Sequence, residues 1–155
     1  MKYAETKTIL NQLVADLSQM ATLIHQTHWY MRGPEFLFLH PLMDEYMDEI
    51  NDQLDVISER LITLDGAPYA TLEEFAEHTG IKSEPGDYGM TTPERFARLT
   101  SAYRYLEGVY QKGIETAGEE GDYSSQDIMT GFHTAIEKRI WMLQAQRGHA
   151  PEIDA

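Results

Sequence analysis

A chain of 155 residues with 12 lysines and arginines against 26 aspartates and glutamates carries a formal net charge of −14, which repels phosphate backbones, attracts cations and makes nucleic acid an unlikely general partner. Cysteine is absent, so disulfides and thiolate sites are excluded and any metal must be held by histidine, carboxylate or carbonyl groups. The length suits one domain over residues 1–155, able to bury a core unaided; with no signal-like start and no apolar run of about 18 residues, the expected compartment is the cytoplasm.

Leu10, Leu13, Val14, Leu17, Ala21, Ile24 and His28 recur every three or four residues, which predicts a helix with one buried face and places His28 on it. Gly33-Pro34 ends that helix and starts a second, whose apolar positions are Leu39, Met43, Tyr46, Met47, Ile50, Leu54, Ile57, Leu61 and Leu64, up to Asp65-Gly66-Ala67-Pro68. Thr71-Leu72-Glu73-Glu74 has capping-box form and predicts a short helix over 71–78. A polar loop follows, and Thr92-Pro93-Glu94 opens a third long helix with Phe96, Leu99, Tyr103, Leu106 and Tyr110 inward, broken at Gly118 to Gly121. The fourth long helix runs from about Ser125 to Arg147 through Ile128, Phe132, Ile136, Ile140 and Leu143. The pattern is all-α: a four-helix bundle with a short extra helix in a long crossing connection between helices two and three.

On the second helix, with His40 set at zero, Asp44 falls near 40°, Asp55 near 60° and Glu59 near 100° at about 100° per residue. These groups form a stripe beside the core face, where a helix meets another protein surface. Asp44 and Asp55 are about 16 Å apart along the axis, so one ion cannot take both pairs from one helix. Two copies packed antiparallel about a two-fold axis would set His40 and Asp44 of one against Asp55 and Glu59 of the other, with His28 entering from the first helix. Two imidazoles and three carboxylates suit Fe(II), Mn or Zn with positions left open for water or oxidant.

His28-Trp29, Arg32-Gly33-Pro34, Phe36, Leu39-His40, Asp44-Glu45, Asp55 and Glu59-Arg60-Leu61 strongly resemble the signature of the Dps family of ferritin-like miniferritins, most of all its peroxide-resistance Dpr members. The resemblance covers nearly the whole chain. It implies a hollow homododecamer whose two-fold interfaces hold ferroxidase sites, with His28, His40 and Asp44 from one subunit and Asp55 and Glu59 from its partner. The implied activity is oxidation of Fe(II), preferentially by hydrogen peroxide, with storage of the ferric mineral inside and protection against oxidative damage. It further implies that Trp29 donates an electron or quenches a radical, and that Asp122 and Asp127 line an acidic three-fold pore that admits iron.

Against these stand plainer readings. His25 is expected to be a polar interface residue, and His78, His133 and His149 match no site pattern, which predicts solvated or structural roles. Glu45, Asp48 and Asp52 form a solvated face or look inward at mineral. An ordinary ferritin diiron centre needs Glu-x-x-His motifs, which the sequence lacks. DNA compaction with secondary iron binding is the alternative function, but Lys2 and Lys7 stand isolated on an acidic chain, so direct DNA binding is not expected.

Overall fold

A computed structural model describes residues 1–155. The periodic segments form five helices and no strand: α1 (Ala4–Tyr30), α2 (Phe36–Thr63), α3 (Leu72–His78), α4 (Thr92–Glu120) and α5 (Tyr123–Gln146). Leu10, Leu13, Leu17 and Ile24 of α1, Met43, Ile50 and Ile57 of α2, Phe96, Leu99, Tyr103, Leu106 and Tyr110 of α4, and Ile136, Ile140 and Leu143 of α5 are buried. Each fully buried aliphatic or aromatic side chain contributes roughly 1.5–3 kcal/mol. Ala21, Met47, Leu54, Leu64, Ile128 and Phe132, also expected inside, are only partly buried, because they sit at the edge of the apolar stripe.

Helix ends follow local chemistry. Gly33 has φ +133°, a conformation suited to glycine, so the turn occupies 33–35 and α2 begins at Phe36 rather than at Gly33-Pro34. Thr91 and Glu94 form a reciprocal capping box ahead of α4, with Pro93 in its first turn. That helix runs through Gly118 and stops where Gly121 takes the left-handed conformation at φ 76°. Asp122 then caps α5, accepting from the Ser125 amide, so α5 begins at Tyr123, two residues before the expected start.

The connection between α2 and α4 runs the length of α1. Ala67 and Tyr69 bond Asn11, His78 bonds Gln12, Thr79 and Gly80 bond Asp16, Glu84 bonds Gln26, and Tyr88 packs on Tyr30. The order of partners along α1 shows the chain returning to the end where α2 began, so α2 and α4 start at the same end of the bundle. Asp16 is the fixed point of this strap: fully buried, it accepts from Thr79, the Gly80 amide and Tyr105. Gly80 lies so close to the Tyr105 ring that a Cβ there would collide with it.

Candidate metal centre

The short turn between α1 and α2 presses the last turn of one helix against the first turns of the next, and two histidines lock it. His28 Nδ1 lies 2.6 Å from the His40 carbonyl oxygen, and His40 Nδ1 lies 2.8 Å from the His28 carbonyl oxygen. Carbonyl oxygens only accept, so both Nδ1 atoms carry protons and donate. The His28 carbonyl is among the four that the end of α1 leaves without a helical partner, and His40 satisfies it.

The two rings stack with centroids 3.6 Å apart and planes 10° apart. With each Nδ1 committed to a backbone carbonyl, Nε2 is the nitrogen that each ring has left to offer a metal. The Phe36 ring packs against His40 at 4.7 Å, and His28 is only 9% exposed, which fixes both rings before any ion arrives. Asp44 Oδ1 is 3.6 Å from His28 Nε2. That separation is too long for a hydrogen bond, yet close to the roughly 3–3.6 Å expected between two ligand atoms sharing one cation.

The structure therefore brings His28 against both the His40 ring and the Asp44 carboxylate. Asp55 and Glu59 are exposed farther along α2 and lie on the same stripe, about 16 Å or more up the axis. The same helix exposes Leu37 (87%) and Phe38 in its first turn and Val56 and Ile62 near its far end. Trp29 is exposed, and its ring stacks on His25 with centroids 4.5 Å apart, which gives His25 a packing partner. Glu45, Asp48 and Asp52 are exposed, whereas Glu49 between them is held by Arg139.

In the acidic segment after α4, Asp122 is 2% exposed and accepts from Arg60 Nη2 at 2.9 Å, the Ser125 amide and the Ser125 hydroxyl. Burial pushes its carboxyl up, but the Ser125 and Arg60 hydrogen bonds and the Arg60 charge outweigh burial and hold it below the usual aspartate range. Glu120 is likewise occupied, accepting from the Thr6 hydroxyl and the amides of Thr6 and Glu5 at the start of α1; the Thr6 hydroxyl bond above all lowers its carboxyl. Asp127 is exposed and keeps its carboxylate free of these contacts.

Sequence reasoning passed over one further group. His133, assigned only a solvated or structural role, lies between Glu107 and Glu137, with Nε2 2.7 Å from Glu107 Oε1 and Nδ1 3.3 Å from Glu137 Oε1. The four-residue spacing of His133 and Glu137 was visible in the sequence, but the carboxylate from α4 was not.

Comparison with known proteins agrees with this architecture. A family model described as a ferritin-like domain matches residues 7–153. A DNA protection during starvation protein from Streptococcus suis is 51% identical over 97% of this chain and 87% of its own length. Its counterpart from Listeria monocytogenes is 39% identical over 95% of this chain and 94% of its own. The crystal structure of Dps from Listeria monocytogenes superposes with a TM-score of 0.93 over 94% of this chain and 95% of that one, at 39% identity. With helices, turn and histidine pair in this arrangement, the chain belongs to the Dps family of ferritin-like proteins.

Proposed function

We propose that this protein is a ferroxidase and iron store of the peroxide-resistance kind, which oxidises Fe(II), preferentially with hydrogen peroxide, and holds the ferric mineral in a hollow homododecamer in the cytoplasm. The observation that carries this reading is a ligand set split along α2. His28, His40 and Asp44 are gathered at one end, while Asp55 and Glu59 stand out of their reach on the same exposed, apolar-flanked helix. A two-fold contact between subunits completes two equivalent centres at once.

Iron is the substrate. Each Fe(II) gives up one electron, and each peroxide accepts two electrons and two protons to become two waters, so two ferrous ions are consumed per peroxide. Asp44, Asp55 and Glu59 supply anionic oxygen, which stabilises Fe(III) over Fe(II) and lowers the barrier to electron loss. The neutral His28 and His40 rings orient the ion without adding positive charge. The same donors suit Zn or Mn as competitors. Removing ferrous ion and peroxide together protects the cell from the radicals they generate.

Trp29, the chain neighbour of His28 and exposed, would intercept a stray oxidising equivalent. A Trp29→Phe variant should oxidise Fe(II) at a similar rate but accumulate more oxidised protein when peroxide exceeds iron; equal damage in both proteins removes Trp29 from the scheme. The acids of an iron-admitting pore are Asp122 and Asp127, of which Asp127 is exposed in the single chain and Asp122 is tied to Arg60 and Ser125. The relatives' names favour a second reading, compaction of DNA with iron binding as a secondary trait. Counterion release requires several lysines or arginines at phosphates, and a net charge of −14 opposes it. No helix is long and apolar enough to cross a membrane.

A crystal soaked anaerobically in Fe(II) tests the central proposal. Anomalous density should lie against His28 Nε2, His40 Nε2 and Asp44 of one subunit, facing Asp55 and Glu59 of another. Density bound within a single subunit, or no density at His28, refutes the shared centre.

A further inference from the structure

We infer that Glu107, His133 and Glu137 form a second cation site, on α4 and α5 and apart from the His28–His40–Asp44 cluster, that takes a first-row divalent transition-metal ion. His133 and Glu137 project from the same side of α5 one turn apart, and Glu107 reaches across from α4. One ligand atom from each of the three lies within 4.8 Å of the others. Ligands around a Zn-sized ion with bonds near 2.0–2.2 Å sit roughly 3–3.6 Å apart. Closing that gap takes about an ångström of movement, within reach of two glutamates that are about one-third exposed.

Charge makes the same point independently. The His133 side chain is 14% exposed, and each of its nitrogens faces a carboxylate. Only a doubly protonated ring could donate to both, and otherwise two carboxylates stand together without a positive partner. Glu107 and Glu137 also line a small cleft in which Arg104 is the one cation, and Arg104 spends its guanidinium on the backbone carbonyls of Pro151 and Glu152. A divalent ion resolves this imbalance by taking one imidazole nitrogen and one oxygen from each glutamate, with water in its open positions. One nitrogen and two oxygens form a borderline donor set that suits Zn, Co, Mn or Fe(II) rather than Ca or Mg.

Such an ion would clip α4 to α5 far along the chain from the turn that holds His28 and His40, so the two sites are separable. The test uses Co(II) as the probe on the assembled full-length protein. In a His40→Ala background, about one Co(II) per chain should still bind, and anomalous diffraction should place it beside His133. Glu107→Gln and Glu137→Gln together preserve side-chain size and should weaken that binding by roughly 100-fold or more. In the otherwise wild-type chain the same pair should leave peroxide-dependent Fe(II) oxidation unchanged. Co(II) stoichiometry that survives the glutamine pair, or anomalous density confined to His28, His40 and Asp44, overturns the inference. Circular dichroism on the glutamine pair separates loss of a ligand from loss of the fold.

Discussion

Mixing two inactive variants, His40→Ala and Glu59→Ala, is expected to restore Fe(II) oxidation by hydrogen peroxide to about a quarter of the wild-type rate. Each variant alone damages every centre and should slow oxidation by roughly 100-fold or more, since even groups that only support a ligand cost 10- to 100-fold. In a mixed pair, one centre combines the two damaged ends and the other combines the two intact ends. Random co-assembly from equal amounts makes about half of all pairs mixed, so about one centre in four is complete. The measurement is stopped-flow oxidation after joint dissociation and reassembly. Mixing His40→Ala with Asp44→Ala provides the control, because both lesions lie at the same end of α2 and no intact centre forms. Equal recovery in the two mixtures, or none in either, would falsify the division of ligands between subunits.

The reason this experiment could be framed from the sequence lies in what periodicity records. A helix repeats every 3.6 residues, so the spacing of Leu10, Leu13, Leu17 and Ile24 or of Tyr103, Leu106 and Tyr110 marks a buried face directly, and the structure buries all of them. The same arithmetic separated Asp44 from Asp55. Contacts between distant segments leave no such record. Asp122 sits among glycines and acids and reads as a solvated carboxylate; its burial depends on Arg60, 62 positions earlier. Asp16 is likewise accounted for only by Thr79, Gly80 and Tyr105, which lie 63 or more positions away along the chain.

His28 and His40 fall between these cases. Their proximity follows from a short turn, but the tautomer that frees Nε2 depends on two carbonyls, and those hydrogen bonds exist only in the folded chain. The missed site around His133 has the same cause. Half of it is a four-residue spacing on α5, and the other half arrives from α4 through the packing of two helices.

Arg60→Met should cost about 3 kcal/mol at neutral pH, because it leaves the Asp122 carboxylate buried without its counter-charge. For a chain of this size that corresponds to a melting temperature lower by about 6–12 °C, compared at one protomer concentration. The folded protein holds the Asp122 carboxyl below its ordinary range, so the stabilisation is complete above that range and drains away as pH falls through the lower folded-state value. The gap between wild type and Arg60→Met should therefore be widest near neutrality and shrink in acid. Adding Asp122→Asn to Arg60→Met should recover part of the loss, since asparagine still caps α5 and carries no charge to strand. Arg60→Lys should recover less than a full guanidinium provides, because Arg60 serves both Asp122 and the Ser125 hydroxyl from one planar group. Glu120 keeps its bonds to the start of α1 in every one of these proteins, so some acid sensitivity persists throughout. A melting gap that widens on acidification would show that the Arg60–Asp122 pair is not what ties the end of α2, next to Glu59, to the start of α5.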